Sequence, residues 1–346
     1  GLYVLVTILF QAQDLILPLI YSALIAVIIS PAIKFLERKK VNRTLAIGIV
    51  LVFTLLLLVG IIAFLMSQLG RLGDSWPELA GKFKAMFRDC VAWFGDFFNI
   101  KISKIDSWIT NAKAQMFSNS GAVIGVTITT VGGVLATAFL TPVYTFMLLF
   151  YQPHLVEFTH KVFGGNHENK VDEILQETKT IIQSYLVGLF IEFVIIAVLN
   201  SLGLLVLGIQ YAILLGILGA FLNVIPYVGG LMGVALFMMI ALLTKSPEYV
   251  AYVIVLYTFI QLVDNNYIVP KIIGSKVKLN ALMSILAVIA GAALWGIPGM
   301  FLSIPLLAVI KLIFDRIKPL EPWGFLLGDT SPSNMKLKPI FKKKTS

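Results

Sequence analysis

Two carboxylates stand inside long apolar runs of this chain. Glu192 lies near the middle of residues 181–200, and Asp264 closes residues 249–263 beside Gln261, Asn265 and Asn266. A carboxylate at the centre of a bilayer costs at least ~2.5 kcal/mol and is usually kept for a solute, an ion or a proton. The Asp264 group offers donors and acceptors for a hydroxylated solute or a monovalent cation. Two plainer readings stay open: a helix-end cap for Asp264, and a lysine or amide partner for Glu192.

Two clusters of glycine and proline could do chemistry through the backbone. One is Asn223-Val-Ile-Pro226-Tyr227-Val-Gly229-Gly230; the other is Trp295-Gly296-Ile-Pro298-Gly299, followed by Pro305. A helix interior disfavours proline by about 3 kcal/mol and glycine by about 1. In lipid the freed N–H and C=O groups find no water, so such breaks persist only inside protein or along a cavity. Half-helix ends attract anionic or polar atoms through N–H groups and cations through carbonyls. Paired interruptions of this kind point to a transport site. Pro18, Pro31 and Pro142 stand alone and read as simple kinks.

Other chemistries find no support. His154, His160 and His167 fall within 14 residues outside the apolar runs, with no cysteine or carboxylate spacing that suggests a metal. Cys90 is the only cysteine and cannot form an internal disulfide. Hydrolase, metalloprotease and Walker signatures are missing, so neither an enzyme, a cofactor nor direct ATP coupling is expected.

The elements that must position these groups are membrane helices. Of 346 residues, 58% are hydrophobic and 13% charged, about half the usual charge of a soluble domain. A water-soluble fold is excluded on that balance, and lipid is the remaining solvent. The formal charge of +9 gathers in residues 34–43 and 336–344, as in cytoplasmic loops and tails, so no nucleic acid is implied.

The expected fold is an all-α polytopic bundle in four stretches. Residues 1–66 carry the N-terminal transmembrane helices, with a polar turn at 11–14 and a clear span at 45–66. Residues 67–120 hold 7 basic and 5 acidic residues with Phe83, Phe87, Val91, Phe94, Phe98 and Trp108 at helical spacing, an amphipathic insertion on the outer face or against a partner. Residues 121–320 form the main transport region, with a cytoplasmic helical loop at 152–180, and 321–346 a basic cytoplasmic tail. Uncharged residues 202–244 and 279–310, each with its break, are too long for one crossing. They read as re-entrant hairpins, because that keeps Lys271, Lys276, Lys278 and the tail on the cytoplasmic side.

With these motifs in place, the C-terminal half resembles the autoinducer-2 exporter (AI-2E) family of bacterial multi-pass membrane proteins. The resemblance rests on Ile225-Pro-Tyr-Val-Gly229 with Gly233, on Asn266-x3-Pro270-Lys-Ile-Ile-Gly274, and on Gly296-Ile-Pro-Gly-Met-Phe-Leu-Ser-Ile-Pro305, in that order across about a third of the chain. Pro31-x6-Arg38 and the central amphipathic stretch fit the family layout less specifically. Many members carry His-Pro where Asn280-Ala281 stands, so no proton-handling role of that histidine carries over. The resemblance implies about eight membrane helices, export of a small polar solute across the bacterial inner membrane, and a homo-oligomer, pentamers having been described for the family. Na⁺(Li⁺)/H⁺ antiport is the alternative that other members suggest.

Overall fold

The computed structural model describes residues 1–98, 120–163, 168–226, 228–274 and 279–329. Among them the chain is helical, with one isolated antiparallel bridge between Leu279 and Gly328. Five described helices are long and apolar enough to cross a membrane, and shorter apolar helices accompany them. The protein is an all-α polytopic bundle.

Helix α1 (Leu2–Gln11) meets α2 (Gln13–Arg38) at Ala12, a break of one residue. Helix α3 (Arg43–Phe98) has 56 residues, roughly 84 Å at 1.5 Å per residue. It carries the span at 45–66 straight into the amphipathic stretch with Pro77 inside, so up to Phe98 that stretch is a prolongation of the span. Residues 99–119, with Trp108, lie outside the described residues.

Helix α4 (Ser120–Phe150) contains Pro142 and runs as one piece. Ser22 on α2, fully buried, donates to the Thr141 carbonyl of α4 at 2.9 Å. Helix α5 (Gln152–Phe163) follows, with Leu155, Phe158, Val162 and Phe163 exposed. Helix α6 (Glu168–Val206) joins the expected surface helix to its span without a break.

The first broken segment starts later than its composition suggests. Helix α6 passes Asn200 and ends at Val206, and the chain turns through 207–211, where Gly208 and Tyr211 both have positive φ, 64° and 59°. Helices α7 (Ala212–Asn223) and α8 (Val228–Thr244) then form an antiparallel hairpin. Its geometry follows from three approaches: a Cβ on Gly229 would stand 1.7 Å from the Leu222 carbonyl oxygen, one on Gly233 3.6 Å from Gly219 Cα, and one on Gly208 3.4 Å from Lys245 Nζ. Start and end of the hairpin therefore sit together. The arms have 12 and 17 residues, roughly 18 and 26 Å, short of a ~30 Å core.

Helix α9 (Glu248–Val263) does not end at Asp264, as the sequence suggests. It continues through two π-helical turns, Asp264–Ile268 and Pro270–Gly274. Helices α10 (Ala281–Trp295) and α11 (Ile297–Arg316) form the second hairpin, reversing at Gly296 with φ 64°. The Asn280 N–H donates to the Leu327 carbonyl of the short helix α12 (Glu321–Leu327) at 2.8 Å, so this hairpin too returns to where it began.

Polar ties collect several helix ends on one side. Arg43 Nη2 donates to the Leu149 carbonyl and Gln152 Oε1, both at 3.0 Å. Lys179 Nζ donates to Ser30 Oγ at 2.8 Å, and Arg316 pairs with Glu173 at 2.8 Å and with Glu177. In lipid, helices associate through close packing and small residues. Gly216 accordingly lies on the Ser201 backbone and Gly219 on the Phe237 ring.

Candidate functional site

The tip of the first hairpin is built around Asn223, the last residue of α7. Helix α7 stops there because Pro226, three residues on, cannot continue the helical ladder. The amide of Asn223 faces two carboxylates: Nδ2 donates to Asp264 Oδ2 at 3.1 Å and approaches Glu192 Oε1 at 3.4 Å. Its Oδ1 accepts from Gln261 Nε2 at 3.4 Å. Gln261 Nε2 also donates to Tyr257 OH at 3.1 Å, and Tyr257 OH donates to the Gly230 carbonyl at 2.7 Å. One side chain thus joins α6, α7 and the α9–π junction, and a tyrosine closes the chain of bonds onto α8.

The network is buried and incompletely satisfied. Glu192 is 8% exposed and Asp264 2%. Among the described residues, Glu192 Oε2 and Asp264 Oδ1 have no hydrogen-bond partner, and neither has Asn200 Oδ1 on the same α6. Unpaired buried acceptors cost about 1–3 kcal/mol each, more when charged. These oxygens are places for a donor: a proton, a cation, or the hydroxyl of a solute. Among the described residues no cluster of three metal-ligating side chains occurs.

Of the residues picked out from sequence, Glu192, Asn223, Gly230, Gln261 and Asp264 meet here. Asp264 is buried inside the bundle, and Glu192 meets the Asn223 amide, with no lysine beside it among the described residues. Gly229 and Pro226 shape the turn; a Cβ on Gly230 would lie 2.8 Å from Gln261 Nε2, so glycine lets the network close. Tyr227 lies outside the described residues.

Others fall away from this point. Asn265, Asn266 and Pro270 are exposed, and Asn266 Nδ2 donates to the Leu262 carbonyl of its own helix at 2.8 Å. Gly296, Pro298, Gly299 and Pro305 belong to the second hairpin. There Gly296 supplies the turn, Gly299 the contact with Gly291, and Pro305 is buried in α11. Trp295, beside that turn, donates from Nε1 to the Leu9 carbonyl at 3.1 Å. No motif in the sequence marks Tyr257 or Asn200, although an amide within an apolar run is a usable signal.

The geometry is that of a membrane protein with a polar centre at a broken helix. The sequence profile of the AI-2E family transporters matches residues 2–318. The chain belongs to the AI-2E transporter family. It is similar to YueF of Bacillus subtilis, 27% identical over 325 residues covering 88% of this chain and 85% of YueF. It is also similar to the AI-2 transport protein TqsA of Escherichia coli, 24% identical over 321 residues covering 92% and 90%. PerM of Escherichia coli is 28% identical over 218 residues, 60% of each chain. The AI-2E match extends over both hairpins and the Asn223 network, and makes this chain a multi-pass membrane protein of a transporter family.

Proposed function

We propose that this AI-2E transporter exports a small hydroxylated solute of the autoinducer-2 type, held at the tip of the first hairpin by Asn223, Glu192, Asp264 and Gln261. The observation that carries the reading is the pair of buried carboxylate oxygens without partners, beside an amide that already bridges their carboxylates. A polyhydroxylated solute supplies donors to those acceptors, and Gln261 and Tyr257 offer further polar contacts. The similarity to TqsA supports the same cargo class. Na⁺(Li⁺)/H⁺ exchange gains nothing from the relatives. Proteoliposomes loaded with autoinducer-2, with Na⁺ and Li⁺ in parallel arms, test the assignment. Solute efflux lost in Asp264→Leu supports it, and cation exchange without solute flux refutes it.

The orientation we propose puts the basic helix ends in the cytoplasm of the bacterial cell, with the C-terminal tail on that side and the bilayer being the inner membrane. Arg43, Lys179 and Arg316 share one side with the 34–43 cluster, as the positive-inside rule requires. The loop at 245–247 then faces outward. In a Cys90→Ser background, an impermeant thiol reagent on intact cells is expected to label Ser246→Cys and to spare Thr44→Cys; both positions are exposed. The opposite pattern inverts the topology. A homo-oligomer, with residues 67–120 as contact, is part of the same proposal. It is supported by the length of α3 and by the exposed apolar side chains along 45–66, and an unchanged monomeric mass in mild detergent would remove it.

A further inference from the structure

A cavity lies away from the Asn223 network, among α2, α4, α5 and α6. Its volume is about 850 Å³. Two ammonium groups line it, Lys34 and Lys179, together with Ser30, Gln152, Gln176 and Gln183. Among the described residues neither lysine is paired with a carboxylate; Lys179 Nζ donates to Ser30 Oγ at 2.8 Å. Two acidic groups nearby are already engaged. Asp172, which also lines the cavity, meets His160 Nε2 at 2.9 Å, and Glu157 on α5 meets Lys161 Nζ at 2.8 Å. The Lys161 hydrogen bond and charge hold the Glu157 carboxyl below its usual range. Two cations thus face one cavity whose carboxylate, Asp172, is bonded to His160 and to neither lysine.

The backbone adds a complementary group. Pro31 also lines the cavity and, lacking an N–H, leaves the Val27 carbonyl of α2 without its helical donor; Val27 lines the cavity as well. The level is that of the membrane surface. Ser30 and Lys34 lie in the last turns of α2, and α5 runs alongside with Phe158, Val162 and Phe163 exposed, as an interfacial helix does. Basic pockets between membrane helices at this level recognise phosphate head groups.

We propose that this cavity is a phosphate-ester site, with Lys34, Lys179 and Ser30 as donors to the phosphate oxygens and the Val27 carbonyl as acceptor for a neighbouring hydroxyl. The site is independent of the transport reading. An anionic glycerophospholipid and a free phosphorylated metabolite share this chemistry, and the test separates them.

The purified protein in phosphatidylcholine nanodiscs, with and without phosphatidylglycerol, is compared by native mass spectrometry and thermal unfolding. Inorganic phosphate and glycerol phosphate are titrated in a separate arm. Each lysine near the surface is worth about a fivefold preference for anionic lipid, so Lys34→Gln with Lys179→Gln is expected to weaken retained phosphatidylglycerol by about 25-fold. Lys82→Gln, which loses only the Glu78 pair, is expected to bind like wild type. The unfolding temperature in phosphatidylcholine alone checks that the double variant folds, and Lys34→Arg with Lys179→Arg, which keeps both charges, is expected to restore binding.

Protection by phosphatidylglycerol alone assigns the site to lipid. Protection by soluble phosphate as well assigns it to a metabolite. Equal behaviour in both nanodiscs with no response to soluble phosphate, or a double variant that binds like wild type, overturns the proposal.

Discussion

Asn223→Leu is expected to abolish transport and to destabilise the bundle by about 1.5–3 kcal/mol, the range for losing a buried hydrogen bond to a carboxylate. Leucine fills a similar volume, so the loss is not one of shape. It removes the donor that Asp264 and Glu192 share and the acceptor of Gln261. Three polar groups are then stranded in the buried centre of the bundle. Thermal unfolding in detergent and solute efflux from proteoliposomes read the two effects separately. Asn266→Leu is the control: that side chain is exposed and bonds only to its own helix, so a change within ~0.5 kcal/mol is expected. Wild-type efflux in Asn223→Leu would detach the network from function.

The second large effect is steric. Gly299→Val is expected to prevent accumulation of folded protein. A Cβ there would stand 1.9 Å from the Gly291 carbonyl oxygen, and that obstacle is backbone in the facing arm, unable to rotate aside. Overpacking against side chains costs about 1–3 kcal/mol; here the arms must separate, and the cost exceeds that range. Gly60→Val on α3, where a Cβ meets nothing within 4 Å, is expected to insert and unfold like wild type. Folded yields by fluorescence size-exclusion chromatography decide it, and equal yields for the two variants would mean the second hairpin is not closed on itself.

Much of the fold was legible because lipid punishes ambiguity. A run such as 45–66 has one solvent it can tolerate, and a carboxylate within a run, such as Glu192, has few reasons to be there. The Gly/Pro clusters likewise announced reversals. What they did not announce was function: the cluster at 223–230 lies on the polar network, whereas the one at 295–299 serves a turn and a helix contact, and composition is alike in both. Asn265 and Asn266 looked useful by adjacency to Asp264. Consecutive helical residues point about 100° apart, so the one facing Asn223 turns its neighbours outward. Tyr257 stayed hidden because an aromatic in an apolar helix is ordinary. The break at 207–211 stayed hidden because Gly208 earns its place through a positive φ, which no hydropathy pattern records.

The first hairpin is anchored at one end only. Gly208 and Lys245 sit together at its root, while its tip at 223–230 is held by side-chain bonds, with no covalent tie to the opposite face. Mechanically it is a cantilever. A crossing helix is tied to a loop at each surface, whereas both roots of this element lie at one end. The Asn223 network shares the holding of that tip with the close packing of α7 on α6, so whatever fills the orphan oxygens of Glu192 and Asp264 also changes how firmly the beam is held.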